Sequence, residues 1–273
     1  MTKLTILSDL HIDINKDYDF SALKDQEFVI IAGDIAGNPP QVKHFIENNI
    51  SHGLFIEGNH LGYSKSGQYQ IDFRQGAERW LRNEFKDSPV KYLENDIYEH
   101  EDVIFIGCTL WTDFELYGQN YKEDAINVAW TRMNDYNYIM CEHDEDLVKL
   151  FPRKTINWHI KSVNFIQKIC KENPDKKIVI ISHHAPSKKS IATQYRSSEV
   201  NPAYASDLEW LIEKYPNIKL WIHGHNHSNS NYNIGQCKVI CNPFGYYNEC
   251  NRDMEKFGQD KDCMGYIIDT KEL

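Results

Sequence analysis

No stretch rich in proline, glycine and serine interrupts this chain, no segment is of low complexity, and no internal repeat is evident. A single domain is the simplest organisation, because 273 residues with 41% hydrophobic content suffice to bury a full core. No uninterrupted apolar run reaches membrane-spanning length, and the N-terminus passes straight into the apolar Leu4 to Leu7 with no signal-like region before it. A soluble, cytoplasmic protein without membrane contact is expected. The seven cysteines, Cys108, Cys141, Cys170, Cys237, Cys241, Cys250 and Cys263, contain no C-x-x-C pair. That argues against a disulfide framework and a structural zinc site, and leaves buried reduced thiols. Positive charge is short as well: 40 acidic against 30 basic residues give a formal charge of −10, which repels a long polyanion. Extended nucleic acid is therefore a poor candidate partner, and composition says nothing of oligomeric state.

What the chain does have is five short polar blocks, each following an apolar run: Asp9-Leu10-His11, Gly33-Asp34, Gly58-Asn59-His60, Ser182-His183-His184 and Gly224-His225-Asn226-His227. The preceding runs, among them Phe28 to Ile31, Ile178 to Ile181 and Lys219 to Ile222, read as buried strands, so the blocks fall where strands give way to loops. In α/β proteins that is where chemistry is placed. Residues i and i+2 of an extended end project to one side, so Asp9 with His11, and His225 with His227, can each reach one point. Carboxylate, imidazole and carboxamide donors converging there describe a metal site.

The order and spacing of these blocks resemble the calcineurin-like metallophosphoesterase family, whose motifs run D-x-H, G-D, G-N-H, a lone His after a strand, and G-H-x-H. The resemblance extends from Asp9 to His227. One departure is local: the family often has an acidic residue after G-N-H, and here Leu61 stands in its place. The fold implied is α/β, two mixed β-sheets packed face to face as a sandwich and flanked by helices. The site implied has Asp9, His11 and His227 on one ion, Asn59, His183 and His225 on the other, and Asp34 bridging. Two divalent or trivalent ions are expected, Mn and Fe first, with Zn, Ni or Co as alternatives. A carboxylate has the two oxygens that a bridge requires, and with only two anionic ligands such a site keeps net positive charge that attracts phosphate and lowers the pKa of a bridging water.

The implied activity is hydrolysis of a small or exposed phosphoester, monoester or diester, by a metal-bridging hydroxide, with His60 protonating the leaving group. A nuclease of the same family is the rival enzyme. A non-catalytic metal-binding scaffold is the rival of another class, but neither the bridging Asp nor the acid His is missing. Of the adjacent His183 and His184, which face opposite ways on a strand, His183 is taken as the ligand and His184 as substrate-facing. Arg196 is a candidate phosphate clamp, near Lys188-Lys189. His223 reads as structural, and His44, His52, His100, His143 and His159 as surface or packing residues. Asn242-Pro243-Phe244-Gly245-Tyr246 resembles a turn seen in some family members, although Asn, Pro and Gly alone explain a turn.

Along the chain, strands are expected at 3–8, 28–32, 53–57, 90–93, 103–109, 177–181, 237–241 and 264–269, and helices near 41–49, 70–86, 154–172 and 205–215. The long helix carries Ile156, Ile160, Val163, Ile166 and Ile169 at helical spacing. Residues 114–151 mix aromatics with acids and amides. They read as a helical, lid-like insertion over the site, with Met133-Asn134-Asp135-Tyr136 as the lid itself.

Overall fold

The computed structural model describes residues 2–16, 18–246 and 265–273. Two sheets stack face to face. One has five strands in the order β13 (Tyr266–Asp269), β1 (Lys3–Leu7), β2 (Phe28–Ala32), β3 (Gly53–Ile56) and β4 (Val90–Tyr92). The other has six, in the order β11 (Ser230–Ile234), β12 (Cys237–Cys241), β10 (Ile218–His223), β9 (Lys177–Ser182), β6 (Val103–Cys108) and β5 (Asp96–His100). The interior strands of both sheets run parallel, and antiparallel β13, β5 and β11 lie at edges.

The unbroken apolar runs follow from burial on both faces. Alternate residues of each strand, such as Leu4 and Ile6, Phe28 and Ile30, Val179 and Ile181, and Leu220 and Ile222, meet between the sheets. The residues between them face outward. Val29, Ile31 and Phe55 pack on Val42, Phe45 and Ile46 of α1 (Pro39–Asn49) and Ala77 and Leu81 of α2 (Arg74–Glu84). Ile178, Ile180 and Trp221 pack on Val163, Ile166 and Ile169 of α5 (Pro152–Glu172) and Leu211 and Ile212 of α6 (Glu209–Lys214). Each fully buried side chain of this size contributes roughly 1.5–3 kcal/mol by leaving water, so the layer between the sheets is what holds their ends in register.

The helices start as their sequences dictate: Asn38 accepts a bond from the Gln41 amide ahead of Pro39, and α5 opens on Pro152. Ile160 does not share the buried stripe of α5 and is 49% exposed, whereas His159 beside it is buried and hydrogen-bonds to the carbonyls of Leu110 and Trp111. The helix expected over 205–215 is only α6, because Ala205 pairs with Ala185 as a parallel bridge and the Leu208 amide bonds to Pro186. Two edge strands not expected from sequence, β5 and β11, are present. The 114–151 segment contains α3 (Lys122–Arg132), α4 (Asp135–Tyr138) and a hairpin of β7 (Met140–His143) with β8 (Asp146–Lys149). It has a core of its own, in which Trp111, Phe114, Ile126, Met133, Tyr136 and Ile139 are buried.

Five of the cysteines, Cys108, Cys141, Cys170, Cys237 and Cys241, are buried, while Cys250, Cys263 and residue 264 of the last expected strand lie outside the described residues. Among the described residues no helix is long and apolar enough to cross a membrane.

Candidate metal centre

Every polar block sits just past the C-terminal end of a parallel strand: Asp9 and His11 after β1, Asp34 after β2, Asn59 and His60 after β3, His183 and His184 after β9, and His225 and His227 after β10. Asp9 and His11 do converge with His227, but not by extended alternation. Asp9, His11, Asp34, His225 and His227 all have left-handed backbone, with φ between 43° and 68°. Such residues cost about 1–3 kcal/mol each and persist only when their surroundings over-determine them. Here the blocks hold one another: the Asp9 amide donates to Gly33, the His11 amide to the Asp34 carbonyl, the Asp34 amide to Glu57 and the Gly224 amide to His183, all at 3.0 to 3.2 Å.

The glycines preceding the ligands are required by contact as well as by φ. A Cβ on Gly33 would lie 2.3 Å from His183 Nδ1, and one on Gly58 would lie 2.1 Å from Asp34 Oδ1. Neither position has room for a side chain.

The seven expected ligands come together, and all but the half-buried His227 are buried. Three sets of donor atoms lie close enough to hold an ion: Asp9, His11 and His227; His11, Asp34 and His60; and Asp34, His183 and His225. His11 Nε2 faces His227 Nε2 at 3.0 Å, and His227 Nε2 is 3.5 Å from Asp9 Oδ1. Metal–nitrogen bonds are about 2.0–2.1 Å, so nitrogens at that separation subtend roughly 90° at a shared ion, a fitting angle. On the other side His183 Nε2 is 3.2 Å from Asp34 Oδ2 and 2.8 Å from Asn59 Oδ1. Asp34 Oδ2 and His225 Nε2 are buried without a hydrogen-bond partner. Buried polar atoms are rarely left so, and a cation would satisfy both. The residues present fit a metal ion.

Electrostatics agree with this fit. Burial alone would raise the Asp9 carboxyl, but the hydrogen bond and charge of His227, then His183, bring it down to about 2. Asp34 is likewise held well below its usual range, against burial, chiefly by His183 and His60. Burial lowers His11 to about 4 and His225 well below its ordinary value, so both rings are neutral and ready to ligate near pH 7.

The orientations are fixed from outside the cluster. His183 Nδ1–H donates to the Ala32 carbonyl at 2.9 Å, which turns Nε2 inward. The Asp9 carboxylate accepts from Ser8 Oγ at 2.5 Å and from the His225 amide at 3.0 Å. Below the Gly58-Asn59-His60 turn, buried Arg74 donates to the Gly58 carbonyl at 2.5 Å and Thr109 Oγ1 at 2.7 Å and pairs with Glu57. Glu94 accepts from the amide and hydroxyl of Thr109, both at 2.7 Å.

A cavity of about 450 Å³ opens over the cluster, within the range of small-molecule sites. His60 is on its wall, 3.9 Å from Asp34 Oδ2, with the Tyr63 ring stacked on it at 4.2 Å and 16°. Tyr204 lies against His225 at 4.4 Å, and Tyr246 packs against His11 and His227 with its hydroxyl 3.4 Å from His60 Nε2. Two expected substrate contacts are elsewhere. His184 is buried behind His225, its Nδ1 bonded to the Thr109 carbonyl at 3.2 Å, because the residue after a ligand on a strand end turns to the opposite side. Arg196 is exposed and off the cavity wall; the arginine on that wall is Arg132, which pairs with Glu199 at 2.9 Å. His223 is structural, bonded to Ser190 Oγ at 2.7 Å.

Sequence reasoning missed Tyr63, Asp135, Tyr204 and Arg132. Tyr246 stood at the end of a turn that glycine and proline explain by themselves, and Asp135 within a segment read as a lid. Asp135 accepts from Asn59 Nδ2 at 2.8 Å. Burial raises its carboxyl, and the Asn59 bond opposes that rise.

A two-sheet α/β sandwich gathers carboxylate, imidazole and carboxamide donors fit for metal at its parallel strand ends, where such folds place their chemistry. Residues 2–229 match the model of the calcineurin-like phosphoesterase family, and the chain belongs to that family of enzymes that hydrolyse phosphoester bonds. It is 28% identical over 275 aligned positions to an uncharacterised protein, L509, of Acanthamoeba polyphaga mimivirus, covering 92% of this chain and 94% of that one. In structure it is similar to phosphopantetheinyl hydrolase (PptH) from Mycobacterium tuberculosis, with a TM-score of 0.74 at 14% identity over 97% of this chain and 95% of that one. That likeness is one of fold. Family membership implies bound metal, and the clustered His and Asp groups could hold it.

Proposed function

We propose that the chain hydrolyses a small phosphoester at a centre of two metal ions bridged by Asp34. The observation that carries this reading is the shared carboxylate: Asp34 Oδ2 lies 4.0 Å from His11 Nε2 on one side and 3.2 Å from His183 Nε2 on the other. Asp9, His11 and His227 would hold one ion; Asn59, His183 and His225 would hold the other. When bound, the pair supplies Lewis acidity, activating water near neutral pH and neutralising the phosphate oxygens.

The chain's own residues supply the rest. Two carboxylates among seven ligands leave the floor positive and draw an anionic ester onto it. His60, on the cavity wall rather than in the cluster's interior, hands a proton to the leaving oxygen. The stacked Tyr63 and the Tyr246 hydroxyl hold its ring. Neutral His11 and His225 do not compete for that proton.

A small ester is favoured over extended nucleic acid because, among the described residues, Arg132 is the one arginine or lysine on the cavity wall, and it is paired with Glu199. The Mn or Fe preference remains an expectation from family resemblance, with Zn, Ni and Co as alternatives. Metal-analysed protein should be assayed on aryl monoesters and diesters, cyclic nucleotides, nucleotides, single-stranded DNA and a phosphopantetheinyl ester, the last suggested by the structural neighbour's name. Chelation should abolish turnover and Mn should restore it. Active enzyme with at most one ion per chain would overturn the two-ion reading, and preference for single-stranded DNA would overturn the small ester.

A further inference from the structure

The carboxamide of Asn59 has two ends of nearly the same shape, an oxygen that can ligate a cation and an NH₂ that cannot. Its Oδ1 faces His183 Nε2 at 2.8 Å, while its Nδ2 donates to Asp135 Oδ1 at 2.8 Å. Nothing in Asn59 itself selects this orientation over the flipped one. The partner does, because a carboxylate oxygen accepts and does not donate, so the NH₂ must turn to Asp135 and the oxygen to the cluster. Both side chains are buried, Asn59 at 2% and Asp135 at 3% exposure, where a hydrogen bond is strong and an unmade one is costly.

Asp135 is not drawn there by its neighbours in sequence. It opens α4, within the insertion, and α4 is fixed from two sides. Tyr136 and Ile139 sit in the insertion's own core, and the Tyr136 hydroxyl lies 3.4 Å from Thr155 Oγ1 of α5. Beside α4, β7 is tied to α2 by a reciprocal pair, Gln75 Nε2 to the Glu142 carbonyl at 3.2 Å and the Glu142 amide to Gln75 Oε1 at 3.0 Å. A carboxylate so mounted keeps its place whether or not the cavity is filled.

We infer that Asp135 is a positioning residue: it fixes the amide of Asn59 with oxygen inward, so that the insertion sets one of the two metal positions. This rests on the two-ion reading above. Residues 114–151 are then a strut under the site as well as a wall beside it.

The test is calorimetric titration of Mn²⁺ into metal-free wild type, Asp135→Asn, Asn59→Asp and the exchanged pair Asn59→Asp/Asp135→Asn, with the Tm of each metal-free protein. Asp135→Asn preserves side-chain volume, so α4 should pack as before, but its amide offers an NH₂ as readily as an oxygen and so no longer selects one orientation of Asn59. Wild type should take up two equivalents. Asp135→Asn should keep one and bind the other about 10- to 100-fold more weakly, the usual loss when a ligand's outer partner is removed, with Tm unchanged. In the exchanged pair the residue at 59 presents an oxygen whichever way it turns and the amide at 135 donates to it, so the second equivalent should return. Three results overturn the inference: Asp135→Asn binding both ions as wild type does, both ions weakening equally with a fall in Tm, or no recovery in the exchanged pair. Wild type taking up a single equivalent would remove the two-ion reading, and this inference with it.

Discussion

The floor of the cavity and its walls are built by different means. The floor consists of short loops leaving parallel strands, with ligands in left-handed backbone and backbone hydrogen bonds running from block to block. The walls come from the insertion and from turns over 188–204, whose backbone hydrogen bonds are mostly local to each turn and which are placed by side-chain packing and exposed ion pairs such as Arg132 with Glu199. A floor fixed by backbone can serve unchanged chemistry, while walls fixed by side chains can vary in what they admit. Substitutions in the floor blocks, His60 included, should therefore act on metal content and turnover. Substitutions of wall side chains, other than those that touch a block as Asp135 touches Asn59, should act on substrate affinity.

The comparison is tested most severely at Asp34. Asp34→Asn weakens a charge shared by both ions and should lower kcat by roughly 10³- to 10⁴-fold, the equivalent of several kcal/mol, with loss of metal. Near-normal turnover and metal content would mean that Asp34 is no bridge. His60→Gln comes next: both ions should stay, while turnover on alkyl esters falls about 10³-fold, within the range of general acid catalysis. The defect should shrink on nitrophenyl esters, whose leaving group hardly needs a proton. Equal defects on both, with chemistry rate-limiting, would make His60 a positioning group, and loss of an ion would make it a ligand.

A smaller effect is expected beneath the floor. Burial raises Glu94 to about 7 and Glu57 to about 8, from 4.5, with the Arg74 charge opposing the rise in each. The folded protein then holds protons on these two carboxyls that the unfolded chain has released, while the buried neutral His11 and His225 act in the opposite sense below pH 6.5, so stability should fall as pH rises from about 6.5 to 8. The Tm of the metal-free protein, followed across that window, should decline, and Glu94→Gln should flatten the decline by roughly 1 kcal/mol. A Tm that rises over the same interval would contradict the assignment. The smallest change belongs to the wall: the Arg132–Glu199 pair is exposed and weak enough for an anionic ester to displace, so Arg132→Ala should raise KM about tenfold at constant kcat, and Arg196→Ala should leave both constants alone. The reverse pattern would put the clamp back at Arg196.

The same division governs what could be read from sequence. Each floor block announces itself locally, as a β-branched run ending in Gly, Asp, Asn or His; strand alternation says that one of His183 and His184 faces the site but not which, and the structure puts His183 at Asp34 and Asn59, and His184 at Thr109. The route of convergence was not legible, because left-handed φ at Asp9 or His225 depends on hydrogen bonds to other blocks. The edge strands β5, Asp-Ile-Tyr-Glu-His, and β11, Ser-Asn-Tyr-Asn-Ile, are too polar to stand out, and they form because β6 and β12 offer an open edge. Nothing separates Arg132 from the other basic residues until Glu199 and the cavity are placed around it, and Asp135 gains its meaning only beside Asn59.

Finally, two of the three donor sets cross the boundary between the sheets. Asp9 and His11 hang from the five-stranded sheet and His227 from the six-stranded one; Asp34 hangs from the first, His183 and His225 from the second. Any cation seated in either set is a clasp across the two leaves of the sandwich, closing at one end what the apolar layer holds along its length. Occupancy and folding are thus thermodynamically linked, with stability gained as RT ln(1 + [M]/Kd) for each ion that binds only the folded chain. Starvation for metal would do more than silence the enzyme: it would remove that share of the stability and leave the ligand end of the sandwich to hydrogen bonds such as those of His225 to Asp9 and His183 to Ala32.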